Sequence, residues 1–523
     1  MYGDMQGIRA KSTMLAFAAG AASPSVADDR RPVLQRVKSR MSMCVRSAPP
    51  YGRRAILGNA ASARASSFLG VHAASTRSLL NRTVPRRSVS RAVGATAPLN
   101  MAVPLATALL IAGAVLAVLL SAALGANDVA NSLGTAVGTG AISLQQALII
   151  GAVMEFSGAV LFGSTVTKTI SSGVVSIPPS AMAQSPTIML GMCAVLVGTT
   201  GWMALATVYG LPVSSTHAVV GSLVGLGLVS GWGINMKGLY NIGLSWVLSP
   251  LIGGIVSTIL YAIVRKFIVQ AKQPAKATRR LLPVLSAATM FTLSMFLFSK
   301  GQISLVITRD RAILIAAAVA MAAGGIAGAA ATAIRSRGTL KERIVTEEMT
   351  EQQEVESIFK VLQVVTACLL SFSHGSNDVS NAIGPFAAMN AAYRGTLSPG
   401  VAVVTPPWVL VLGGFGISFG LATWGKPVME TVGKKITKLV PTKGFSVELG
   451  TAITVLIASE LGLPVSTTHT LIGCIVAVGL ATGDTSSING KVLGKIAFSW
   501  GVTLPFAAIV TIVCFLLTKK LVL

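Results

Sequence analysis

Apolar residues in this chain come in long runs rather than in strand-like alternation. A bilayer core of roughly 30 Å needs about 20 apolar helical residues. Runs of that order lie near 101–124, 144–166, 187–208, 215–230, 240–266, 282–299, 312–334, 358–374, 402–424, 446–461, 465–482 and 497–518. The pattern predicts an all-α polytopic membrane protein with about twelve transmembrane or re-entrant segments. The runs at 215–230 and 465–482 are short and follow Pro212 and Pro464 closely. Each is expected either as an independent crossing or as the return arm of a re-entrant hairpin.

The segments group into a first repeat over 101–266, two connecting segments and a hydrophilic loop over 267–357, and a second repeat over 358–523. Seven segments precede the second repeat. An odd number makes that copy enter from the opposite side, so the two are predicted to be inverted. The loop at 335–357 is basic first (Arg335, Arg337, Lys341, Arg343) and then acidic (Glu347, Glu348, Glu351, Glu354, Glu356). It is expected to be solvated.

The duplication is written in the polar interruptions. Gly125-Ala126-Asn127-Asp128-Val129-Ala130-Asn131 returns as Gly375-Ser376-Asn377-Asp378-Val379-Ser380-Asn381. Gly210-Leu211-Pro212-Val213-Ser214-Ser215-Thr216-His217 returns as Gly462-Leu463-Pro464-Val465-Ser466-Thr467-Thr468-His469. Polar, Gly/Pro-broken stretches at matching places in two apolar halves mark the substrate site of a secondary transporter.

Composition sharpens this. The chain is 52% hydrophobic and 11% charged, with a mean hydropathy of +0.72. Its net charge of +25 is unevenly spread, because residues 1–100 carry 16 Lys/Arg against 3 Asp/Glu. That acid-poor, Arg- and Ser-rich stretch reads as an organellar targeting leader that is removed. The other reading is a disordered basic tail that stays attached. A short apolar run from Met14 to Ala22 is compatible with a bipartite leader. The remainder has no basic-aromatic platform, so no nucleic-acid partner is expected. The five cysteines have neither metal-ligand nor disulfide spacing. No phosphate loop of the Gly-x-x-x-x-Gly-Lys-Ser/Thr type precedes a helix, and no enzymatic activity is expected.

An ionisable group at the bilayer centre costs about 2.5–3.5 kcal/mol even on permissive scales. Asp128 and Asp378 recur in both copies, which structural pairing explains poorly. With Asn127, Asn131, Asn377 and Asn381 they offer carboxylate and amide oxygens, the ligands that a hard cation such as Na⁺ takes. Proton coupling through the aspartates fits the same residues. Gly125 and Gly375 are expected to let the helices unwind beside them. The Pro-Val-Ser stretches read as helix starts, whose free N–H groups and positive dipole end suit an anion. Ser214, Ser215, Thr216, Ser466, Thr467 and Thr468 would add hydroxyl donors around a tetrahedral oxyanion. Glu155, Lys168, His217 and His469 are expected beside the site, with an internal Glu155–Lys168 ion pair as the other reading.

These paired motifs resemble the inorganic phosphate transporter (PiT) family, and the likeness covers 101–523. The stretch Gly433 to Phe445 resembles its plant and algal plastid branch. The resemblance implies cation-coupled symport of inorganic phosphate driven by Na⁺ or H⁺, with no other cofactor. It implies that the Asn-Asp pairs and the Ser/Thr loops are the ion and phosphate sites. A transporter of another oxyanion such as sulfate, or a phosphate-sensing receptor on the same fold, remains open. With the leader, the resemblance places the protein in the plastid (chloroplast) inner envelope, or in the mitochondrial inner membrane. Its partners are the lipid bilayer, phosphate and the coupling ion; a homo-oligomer is compatible. The basic loops at 265–280, 335–343 and 434–443 are expected on one face by the positive-inside rule.

Overall fold

The structure, a computed structural model, describes residues 99–522 apart from 183, 300–307, 342–349, 399–400, 438 and 484–487. The leader expected over 1–100 lies outside the described residues but for its last two, Leu99 and Asn100, which are helical. Thirteen principal helices follow. In the first half they are α1 Leu99–Gly138, α2 Leu144–Phe162, α3 Ser164–Ser172, α4 Ser185–Val208, α5 Ser215–Ser230 and α6 Met236–Val264. Then come α7 Pro274–Ser299 and α8 Arg309–Lys341. The second half holds α9 Glu351–Tyr393, α10 Pro407–Trp424, α11 Pro441–Glu460, α12 Thr467–Ala481 and α13 Gly490–Val522. Among the described residues, nine helices are long and apolar enough to cross a membrane. The exceptions are α3, α5, α11 and α12. The only sheet among the described residues is a two-residue antiparallel pair, β1 Val175–Ser176 with β2 Gly233–Ile234.

Every predicted segment meets a helix, but three boundaries move. The run at 144–166 breaks at Gly163, so that α2 gives way to the separate α3. The loop at 335–357 is shorter than expected. Helix α8 runs to Lys341, and a capping box of Thr350 with Gln353 starts α9 at Glu351. The motif helices are also far longer than their apolar runs. Helix α1 has 40 residues and α9 has 43, and both pass unbroken through the Asn-Asp motifs.

The expected unwinding at Gly125 and Gly375 is therefore corrected, and packing supplies the reason. A Cβ at Gly125 would lie 1.9 Å from the Ile417 carbonyl oxygen on α10, and one at Gly375 would lie 2.1 Å from that of Glu155 on α2. These glycines let backbones touch rather than bend. Small residues at helix contacts do this in lipid, where burial from water no longer drives association. Gly420 presses back from α10 onto α1, its missing Cβ 1.8 Å from the Ala122 oxygen. Gly420→Ala should therefore destabilise the protein by about 1–3 kcal/mol. Thermal unfolding of the detergent-purified chain checks this, and an unchanged midpoint would show that the contact yields freely.

The two halves interlock. Helix α10 packs along α1 and, correspondingly, α2 along α9; α13 packs on α4 and α5, and α6 on α11 and α12. Helices α1 and α9 run antiparallel. Thr107 near the start of α1 meets Tyr393 at the end of α9, whereas Thr139, just past the end of α1, bonds Gln363 early in α9 at 2.7 Å. Matching helices that run in opposite directions make the repeats inverted.

Two of the basic loops gather at one end. Arg279 pairs with Glu354, and Thr442 bonds Glu356. Arg265 donates to the Ala481 carbonyl, and the Asn489 N–H to that of Ile436. These contacts bring the loops at 265–280 and 434–443 to the face where α9 begins. The basic cluster at 335–343 lies outside the residues whose side chains are described.

Candidate functional site

The site begins with two identical turns. Helices α4 and α11 each end on a left-handed glycine, Gly210 at φ 63° and Gly462 at φ 67°. The Leu211 N–H bonds back to the Ala206 oxygen, and the Leu463 N–H to that of Ala458. That is the Schellman closure, in which glycine avoids a Cβ clash. Pro212 and Pro464 then keep the chain extended. Ser214 and Ser466 restart it as N-caps, accepting from the backbone N–H of His217 and His469 at 3.2 Å each. So Gly-Leu-Pro-Val-Ser is stop, turn and restart, and the predicted helix starts stand at Ser215 and Thr467.

The tips of the two hairpins meet. Thr216 Oγ1 donates to the Val465 carbonyl at 3.0 Å, and Thr468 Oγ1 to that of Val213 at 2.9 Å. The rings of His217 and His469 stack with centroids 4.5 Å apart. Two helix N-termini thus face one another within the protein. Intrahelical geometry leaves the first N–H groups of each without a carbonyl partner.

The asparagines cross between halves. Asn131 on α1 donates to Thr468 at 2.8 Å, whereas Asn381 on α9 donates to Ser215 at 3.2 Å and Thr216 at 3.1 Å. Each motif helix therefore holds the hairpin of the other copy. The first asparagines act within their own copy, and unequally. Asn127 accepts from the Val213 N–H and donates to Thr207 and Leu211, so its amide is engaged at both ends. Asn377 donates to Val465 and to Asp378, leaving its oxygen without a hydrogen bond.

Both aspartates are fully buried. Asp378 accepts from Thr467 at 2.8 Å and from Asn377 at 2.7 Å, and Asp128 accepts from Asn131 at 2.9 Å. Asp128, His374 and Asp378 each present a ligand atom within 4.8 Å of the others. Asp128 Oδ2 and the side-chain oxygens of Asn131, Asn377 and Asn381 are buried and accept no hydrogen bond. Leaving a buried polar atom unmatched costs about 1–3 kcal/mol. Three amide oxygens beside two carboxylates form a donor set suited to a hard cation.

His374 is the residue that sequence reasoning missed. Its Nδ1 lies 3.1 Å from Glu155 and its Nε2 lies 2.8 Å from Asp378, with both groups buried. Glu155 also accepts from Ser132 at 2.7 Å. The Glu155–Lys168 ion pair is corrected accordingly: Glu155 takes its partners from α1 and α9, and Lys168 is exposed on α3. The signal for His374 was present, since His374-Gly375 stands where the first copy has Leu124-Gly125. Glu448 is a separate buried carboxylate. It accepts from Thr135 at 2.6 Å, Gln363 at 2.8 Å and Thr366 at 2.6 Å, tying α11 to α1 and α9. Ser214 and Ser466 are occupied in capping and in bonding their histidine rings.

Comparison with known proteins fits this geometry. The model of a family described as "PHO4: Phosphate transporter family" matches residues 124–511. A Chlamydia muridarum protein with the name of a phosphate permease is 40% identical over 409 residues, covering 76% of this chain and 95% of its own. The Arabidopsis thaliana protein "Inorganic phosphate transporter 2-1, chloroplastic" is 38% identical over 416 residues, covering 74% of this chain and 68% of its own. A solved structure described as "The sodium-dependent phosphate transporter" is 36% identical with a TM-score of 0.71, covering 80% of this chain and all of the other. The chain is a multi-pass membrane protein of the phosphate transporter family, and not an enzyme.

Proposed function

We propose that the chain carries inorganic phosphate uphill with Na⁺ by alternating access, in the inner envelope membrane of a plastid. One observation carries the mechanism: the N-termini of α5 and α12 face each other beside a cluster of unmatched buried oxygens. The N–H groups and dipoles of the two termini favour an anion. Ser215, Thr216, Thr467 and Thr468 stand at these termini; because Thr216, Thr467 and Thr468 already donate to Val465, Asp378 and Val213, the N–H groups are the main donors to phosphate. Asp128, Asp378, Asn131, Asn377 and Asn381 supply oxygens for Na⁺. Asn127 holds its hairpin tip in place instead of facing the ion.

Binding both ions at the crossing of α1 and α9 gives a plain account of coupling. The carboxylates repel phosphate until a cation offsets their charge, so neither partner binds well alone. A second reading, H⁺ coupling, is favoured by His374 between Glu155 and Asp378, where a proton can be held. Uptake of labelled phosphate into proteoliposomes distinguishes them. A Na⁺ gradient at equal pH is expected to drive accumulation above equilibrium. Accumulation driven by a pH gradient alone would move the assignment to H⁺, and no flux under either would leave a receptor.

The plastid address rests on the acid-poor leader and on the chloroplastic relative. A fluorescent fusion of the full chain should outline plastids. Labelling of mitochondria would refute that address.

A further inference from the structure

Two histidines and two tryptophans form a column between the repeats. Trp246 of α6 stacks on His217 with centroids 3.6 Å apart and His217 on His469 at 4.5 Å, while His469 lies tilted against Trp500 of α13 at 3.6 Å. Each histidine also bonds, through Nδ1, the hydroxyl of its own capping serine, Ser214 at 2.6 Å and Ser466. That hydroxyl can give its proton to the ring while accepting the backbone N–H of the same histidine. Trp500 reaches across as well, donating to the Pro212 carbonyl of the opposite hairpin at 3.3 Å.

Ordinary helix capping needs none of this, since a serine caps with its oxygen alone. Any apolar side chain would fill the same space beside a tryptophan. What the column adds is linkage. The ring that fixes one capping serine lies face to face with the ring that fixes the other. Displacing one helix terminus must therefore unstack a pair or break a hydroxyl bond in the opposite half.

We propose that His217 and His469 are positioning residues that hold the two phosphate-facing helix N-termini in one register, each acting through its capping serine and through the other's ring. This rests on reading those termini as the phosphate site. It goes further by making the two half-sites a single binding unit. Neither histidine needs to touch phosphate.

The test is calorimetric titration of inorganic phosphate into the purified full chain in Na⁺ buffer, which reads binding without requiring transport. His217→Ala and His469→Ala should each weaken the dissociation constant by about tenfold or more. The double variant should lose no more than about threefold beyond the weaker single, because residues acting as a unit are not additive. His217→Phe keeps a ring in the column and should bind at least about threefold more tightly than His217→Ala. Should the alanine variants fail to fold, His217→Phe is compared with His217→Asn, with the same order expected. Near-wild-type binding by both single variants, losses that multiply in the double, or a phenylalanine variant no better than its comparator would overturn the proposal. Wild-type binding without Na⁺-driven uptake would count against the transport reading alone. Wild-type chain that binds no phosphate would overturn both.

Discussion

Replacing Asp378 with asparagine should reduce Na⁺-driven phosphate uptake by about 10² or more. The carboxylate accepts from Thr467 and Asn377 and lies against His374. An amide at this position presents an NH₂ to groups that are themselves donors. At least two partners lose an acceptor, at about 1–3 kcal/mol each. Each 1.36 kcal/mol is a factor of ten in rate if the loss falls on the transport step. The charge that would balance the cation goes as well. Asp128→Asn should act in the same direction. Both variants should still insert and purify, since removing a buried charge relieves its desolvation. Labelled-phosphate uptake at equal reconstituted protein is the measurement, and wild-type accumulation by both variants would falsify the cation assignment.

Phosphate should be preferred to sulfate by about 10² or more. Near neutral pH inorganic phosphate retains at least one proton and sulfate retains none. Hydroxyls and helix N–H groups alone would scarcely distinguish the two. Asp128 and Asp378 change this once a cation offsets their charge, because a carboxylate oxygen can still accept a hydrogen bond from phosphate, and sulfate has no proton to offer. Sites that hydrogen-bond a substrate hydroxyl can reject analogues lacking it by about 10⁴. Arsenate, which keeps its proton, should compete. Excess unlabelled sulfate added during labelled-phosphate uptake gives the answer. Inhibition equal to that by unlabelled phosphate would make the protein a general oxyanion carrier.

Much of the fold was legible because hydropathy and helix punctuation are local. Gly210-Leu211-Pro212 stops one helix, Ser214 starts the next, and the second copy repeats the sequence of events. The inversion followed from a segment count. The rest was hidden because it depends on partners 165 to 337 residues away. Nothing near Gly125 in sequence shows Ile417 pressing on it, so the same glycine read as a hinge. The crosswise bonds of Asn131 and Asn381 could not be read from two motifs treated as separate sites. His374 is not signalled by what the two copies share, since it stands where the first copy has Leu124. Ser214 and Ser466 were expected to face phosphate. Both cap through the backbone N–H three residues on, and the bond of each hydroxyl to its histidine ring keeps it from phosphate.

The interlocking of the halves bears on how the protein can be made. Helix α2 packs on α9, α5 on α13, and Asn131 on Thr468. Until α9 to α13 arrive, Asp128, Asn131 and Glu155 lack most of their final neighbours. Translation at about 5–20 residues per second puts a quarter to most of a minute between the two Asn-Asp motifs. For that time the first repeat is an unfinished membrane body with acidic and amide side chains open to lipid, water or a chaperone. The feature that makes two half-sites into one site thus makes the amino-terminal half a poor independent folding unit.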